Sequence, residues 1–139
     1  MGYTHYFTQV QSTEGDDRSY LKFAIDAMLI ILTAEQRGIN LNWHVDENAV
    51  KINGVGEDSH EDFYFTREAN LSFNFCKTAR KPYDDVITAC LIALKKAYGE
   101  KVDIGSDGTW ESDWVAGRHL YQMAVQETAI SPLKTYATA

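Results

Sequence analysis

The chain has no apolar run approaching the roughly 20 residues that a membrane-spanning helix needs. A run as long as any, Ala27 to Leu32 before Thr33, has the length of a buried helix face. No membrane partner is therefore expected. Cysteine is scarce: Cys76 and Cys90 each sit among large apolar neighbours and read as small core hydrophobes, not as a disulfide or a metal pair. Basic residues are outnumbered 13 to 20 and the net charge is −7, which argues against general affinity for nucleic-acid phosphates. That balance still permits a local basic patch for a small anion, or an acidic surface that mimics nucleic acid. The N-terminus lacks the parts of a secretory signal, and Tyr6 stands where a myristoylation motif needs Ser or Thr, so a cytoplasmic location is expected.

The absences extend to chemistry. His5, His44, His60 and His119 are dispersed, with no helical His pair and no Cys-x-x-Cys, so neither a metal site nor a cofactor is expected. Asp103, Asp107, Glu111 and Asp113 surround a glycine turn without the ligand spacing of an EF-hand and read as a solvated loop. No Gly-x-Ser-x-Gly elbow and no pairing of nucleophile with base appears, so no catalytic residue is assigned and a non-enzyme is favoured.

What the chain does contain is enough apolar material for one core. At 139 residues, 45% hydrophobic and 12% aromatic, it reads as a single domain, with 132–139 a fraying tail. Tyr3 to Gln9 alternates as a strand. Apolar residues from Tyr20 to Leu32 recur widely enough around a helical wheel to bury most of its circumference, and Gly38 ends that helix. Short strands follow at 39–45, 50–52, 62–66 and 71–75, the first two joined by a turn at Asp46-Glu47-Asn48 and the next marked by Asn53-Gly54. Pro82 opens a second buried helix through Ala97, closed by Gly99. A strand at 101–104 and a helix from about Ser112 to Thr128 complete an α+β domain: one mixed or mostly antiparallel sheet with about three helices, two of them strongly buried.

The segment Phe73–Asp85 stands out because an apolar strand ends abruptly in a basic, hydroxyl-bearing loop that opens a helix. Backbone N–H groups at a helix start attract anions, and Lys77, Thr78, Arg80 and Lys81 add charge and donors. Arg80 offers a bidentate fork, Lys77 and Lys81 point charges. Tyr83, Tyr3 and His5 supply aromatics for stacking on a base and bonding its edge. The bland alternative is a self-contained cap in which Asp84 and Asp85 pair with the same cations.

Two segments, Met1-Gly2-Tyr3-Thr4-His5-Tyr6-Phe7 and Phe73-Asn74-Phe75-Cys76-Lys77-Thr78-Ala79-Arg80-Lys81-Pro82-Tyr83-Asp84 followed by Ser106-Asp107-Gly108, resemble a family of small proteins encoded by bacteriophages and prophages. The resemblance implies a viral, anti-defence setting in the host cytoplasm and carries no activity with it. The expected function is binding of a small anionic, nucleotide-like ligand at 77–83. The alternative is inhibition of a host defence protein through an acidic surface that includes Asp46, Glu47, Glu57, Asp58, Glu61 and Asp62. A third reading, an enzyme acting on a nucleotide, lacks a visible nucleophile. The sequence also leaves room for a homo-oligomer that completes a pocket from two chains.

Overall fold

The computed structural model describes residues 2–13, 15–68 and 73–134. In chain order the elements are β1 (Thr4–Gln9), α1 (Asp17–Gln36), β2 (Asn42–Val45), β3 (Ala49–Asn53), β4 (Phe63–Thr66), β5 (Phe73–Lys77), α2 (Asp84–Tyr98), β6 (Val102–Ser106) and α3 (Val115–Val125). The domain is α+β with three helices and antiparallel strand pairing. The strands divide into two three-stranded sheets, β5-β1-β6 and β2-β3-β4, where the sequence suggested one. Glu61, just before β4, ties the second sheet to β5: its N–H donates to the Lys77 carbonyl at 3.1 Å and its carboxylate accepts from the Lys77 N–H at 3.0 Å, while Phe7 of β1 packs on Phe63 of β4.

Alternation sets each sheet's inner face. Val50 and Ile52 on β3, and Phe63 and Phe65 on β4, point inward, while Lys51 and Tyr64 between them stay outside. In the first sheet β1 is central, with Tyr6 opposite both Phe75 of β5 and Gly105 of β6. Leu133 bridges to Ile104 and the Lys134 N–H donates to the Ile104 carbonyl, so the expected tail is pinned beside β6 as far as Lys134. The rest of that tail, and Leu71 of the expected strand 71–75, lie outside the described residues.

All three helices pack on one another, with α2 in the middle. Every residue from Val86 to Leu94 of α2 is buried, as a helix apolar all round must be. It has no Gly or Pro inside, and Gly99, at φ 58°, ends it in a backbone region that suits glycine. Helix α1 buries Phe23, Ala27, Ile30, Ile31 and Ala34 at helical spacing and leaves a second apolar stripe outside. Gly117 lets α3 approach α2 closely: a Cβ there would collide with the Thr88 hydroxyl and come within 2.8 Å of Thr88 Cβ. Pro82 lies two residues before the first helical residue of α2, not at it.

Candidate functional site

One end of the β5-β1-β6 sheet gathers the singled-out residues because β5 runs straight into α2 there. The connection is a tight turn: the Lys81 N–H donates to the Thr78 carbonyl at 3.0 Å, and the two residues between, Ala79 and Arg80, both have positive φ (52° and 57°). Asn-Gly usually supplies this conformation in primed turns. For residues carrying a Cβ it costs roughly 1–2 kcal/mol each, so surrounding contacts must hold it. The Thr78 N–H donates to the Tyr3 carbonyl at 3.1 Å, and the Thr78 hydroxyl donates to Asp84 Oδ1 at 2.6 Å. Arg80 Nη1 donates to Asp113 Oδ1 at 2.9 Å, and the guanidinium lies 3.9 Å from the centre of the Tyr3 ring.

Beneath the turn lies a buried polar chain. His5 Nε2 lies 2.6 Å from Asp84 Oδ1 and His5 Nδ1 lies 2.8 Å from Ser106 Oγ. The Ser106 oxygen also accepts from the Gly108 N–H at 2.9 Å and from Trp114 Nε1 at 3.1 Å. Those two donors occupy both lone pairs of the Ser106 oxygen. The His5 ring thus bridges Ser106 and Asp84. The group contains serine, histidine and aspartate in hydrogen-bonded series, but a nucleophile needs a free, solvent-reachable lone pair. Ser106 has none to offer, and His5 is fully buried, so this chain is a structural network.

The other predicted residues separate into buried and exposed groups. Tyr83 is fully buried and donates to the Glu61 carbonyl at 2.7 Å, with the Lys77 carbonyl at 3.3 Å; it supports the loop from below and has no surface on which a base could stack. Burial pushes its hydroxyl pKa upward, with Cys76 the next cause. Tyr3, His5 and Thr78 are likewise buried. Burial, and then Asp84 and Asp113, pushes the Tyr3 hydroxyl up to about 12. Gly108 permits that packing, since a Cβ there would collide with the Tyr3 hydroxyl and come within 2.7 Å of Asp113 Cβ. Lys77 and Arg80 remain exposed and Lys81 half-buried.

Two expectations change. The backbone N–H groups of Asp84, Asp85, Val86 and Ile87 are all taken by the carbonyls of Lys81, Pro82 and Tyr83, so the helix start offers an anion no free donors among these. Arg80 pairs with Asp113 and not with Asp84 or Asp85. The Thr109 N–H and then Arg80 hold the Asp113 carboxyl below its ordinary range, while Asp113 raises the arginine pKa. Asp85 makes no ion pair among the described residues, and burial, then Asp84, raises its pKa.

Sequence reasoning missed the exposed aromatic face beside the turn. Phe75 points outward on β5 with Lys77 Nζ 5.9 Å from its ring centre, and Tyr6 stands directly across on β1 over Gly105. The two-residue period of β5 predicts that Phe75 and Lys77 share a face, so this signal was present. A cavity of about 410 Å³ lies elsewhere, lined in part by Tyr20, Leu21, Asp46 and Arg67. Comparison with protein-family models, curated proteins and solved structures returned no match. The reading of this site therefore rests on its own geometry. No metal-holding cluster of His, Cys, Asp and Glu occurs among the described residues.

Proposed function

We propose that the protein binds a small anionic, nucleotide-like ligand at the end of β5, where the turn 77–81 carries Arg80 and where Phe75 and Lys77 share the outer face of the strand. The observation that carries this reading is the strained turn itself. Two non-glycine residues with positive φ are held in place by contacts that fix Arg80 while leaving its side chain 61% exposed. Strain that the surroundings over-determine gathers at ligand clamps. Lys77 and Arg80 supply charge for a phosphate, Arg80 with donors beyond the one given to Asp113. Phe75 supplies a sheet-face platform on which a base can stack, with Tyr6 beside it. Since both Ser106 lone pairs are occupied, the reading is of binding without turnover. In a phage-borne protein such binding would withdraw a nucleotide signal from a host defence.

The test is a thermal-shift screen against mono-, di- and cyclic nucleotides and inorganic phosphate, because a ligand that binds only the native state raises apparent stability by mass action. A nucleotide-dependent rise that disappears in Arg80→Ala is expected, since a charged hydrogen bond is worth about 1.5–3 kcal/mol. Binding unchanged in Arg80→Ala, or no shift with any nucleotide, overturns the reading. The latter outcome would favour inhibition of a partner protein.

A further inference from the structure

The outer face of α1 is apolar and uncovered: Leu21, Ile25, Leu29 and Leu32 are 60, 51, 41 and 45% exposed. Single exposed hydrophobes are ordinary, but four in a row along one helix are not. Three of them, Leu21, Ile25 and Leu32, fall with the half-buried Met28 on a heptad seam, and Leu29 lies at its edge. Arg18, Leu21, Ile25, Met28, Leu32 and Glu35 alternate three and four residues apart, which places all six on one stripe and makes Arg18 and Glu35 its two ends. Both end residues are exposed, and neither forms an ion pair among the described residues; the Trp43 indole N–H reaches one Glu35 oxygen at 3.2 Å.

We infer that this face pairs with α1 of a second copy, antiparallel, about a two-fold axis between Asp26 and Ala27. In that register Leu21 comes level with Leu32 of the other copy and Ile25 with Met28. Arg18 comes level with the oppositely charged Glu35 at both ends. A parallel pairing would instead set Arg18 beside Arg18 and Glu35 beside Glu35. An isologous contact needs a self-complementary surface, and a seam with opposite charges at its two ends is one. The charge balance agrees. The six seam residues hold one cation and one anion per copy, so the seam itself carries no net charge into the contact. One helix pair of this length covers less than the roughly 1,200–2,000 Å² of a standard stable interface. The dimer is accordingly weak and concentration-dependent.

Sedimentation velocity across the micromolar range tests this, with each variant's fold checked by circular dichroism. Wild type should shift from monomer to dimer as concentration rises, and Ile25→Lys should stay monomeric; position 25 is half exposed, so the fold should survive. Arg18→Glu and Glu35→Arg should each weaken association several-fold, and the two together should restore it. A chain monomeric at every concentration overturns the proposal and leaves the face for another occupant. So does a dimer indifferent to Ile25→Lys, or a combined variant no better than the single ones.

Discussion

Helices α1 and α2 are both apolar around most of their circumference, yet α2 is buried on every side and α1 on one. The difference lies in position: α2 sits between the other two helices with β6 beside it, whereas α1 is an outer layer whose far side leaves Leu21, Ile25, Leu29 and Leu32 exposed. Periodicity therefore reports which residues avoid water, not what covers them. Where the fold runs out of cover, a wide apolar wheel marks a surface that a partner can use.

The comparison breaks most sharply at paired leucines. Leu91→Ala, in the middle of α2, should cost about 2–5 kcal/mol in denaturant unfolding, as buried leucine truncations do. Leu21→Ala, on the outer face of α1, should stay within about 0.5 kcal/mol at concentrations where the chain is monomeric. Equal costs would mean that the outer stripe is covered within one chain.

The buried network at the start of α2 should respond next. His5→Phe keeps a ring there but leaves Ser106 and Asp84 each without one hydrogen-bond partner, a loss of about 1–3 kcal/mol. A neutral result would show that the Ser106–His5–Asp84 series is dispensable to the fold. Gly117→Ala sharpens the case for close packing of α3 on α2. Alanine gains about 1 kcal/mol of helix propensity over glycine, yet the collision with Thr88 should outweigh it and give net destabilisation, since overpacking costs about 1–3 kcal/mol. A more stable variant would mean that the two helices can move apart freely.

The smallest effect is electrostatic and belongs to the rim of α1. Glu127 takes hydrogen bonds from Lys96 and then Lys22, which lower its pKa from 4.5 to about 2. A carboxylate with a depressed folded-state value stabilises fully above its ordinary value and loses that contribution as pH falls through the folded one. Glu127→Gln should therefore flatten the acid limb between about pH 4.5 and 2 relative to wild type. Asp26 and Asp85, both raised chiefly by burial, act in the opposite sense, so the difference between the two proteins is the readout.

Much of the fold was legible because period and punctuation agree locally. The turn at Asp46-Glu47-Asn48, the stop at Gly99 and the strand at 62–66 all lie where the residues alone put them, to within a residue. The division into two sheets was not, since it depends on which strands pair across long separations, and no local pattern carries that. The site was legible in part. A basic loop entering a helix was visible, but Tyr83 resembles an accessible aromatic until the Glu61 carbonyl above it is known. His5 likewise gave no sign of meeting Ser106, about 100 residues away, and Asp84. Asp113 read as one member of a solvated acidic loop, whereas it is the carboxylate that fixes Arg80. Such pairings are tertiary facts, and only the strand period linking Phe75 to Lys77 could have drawn attention to the exposed face.

The central claim, a nucleotide-like ligand at the end of β5 beside Phe75 and the turn 77–81, is tested most directly by titrating isotope-labelled protein with nucleotides and following backbone amide resonances. The account predicts saturable shifts concentrated at residues 75–81 and at Tyr6, absent in Arg80→Ala. No saturable shift, or shifts centred on the outer face of α1, would contradict it.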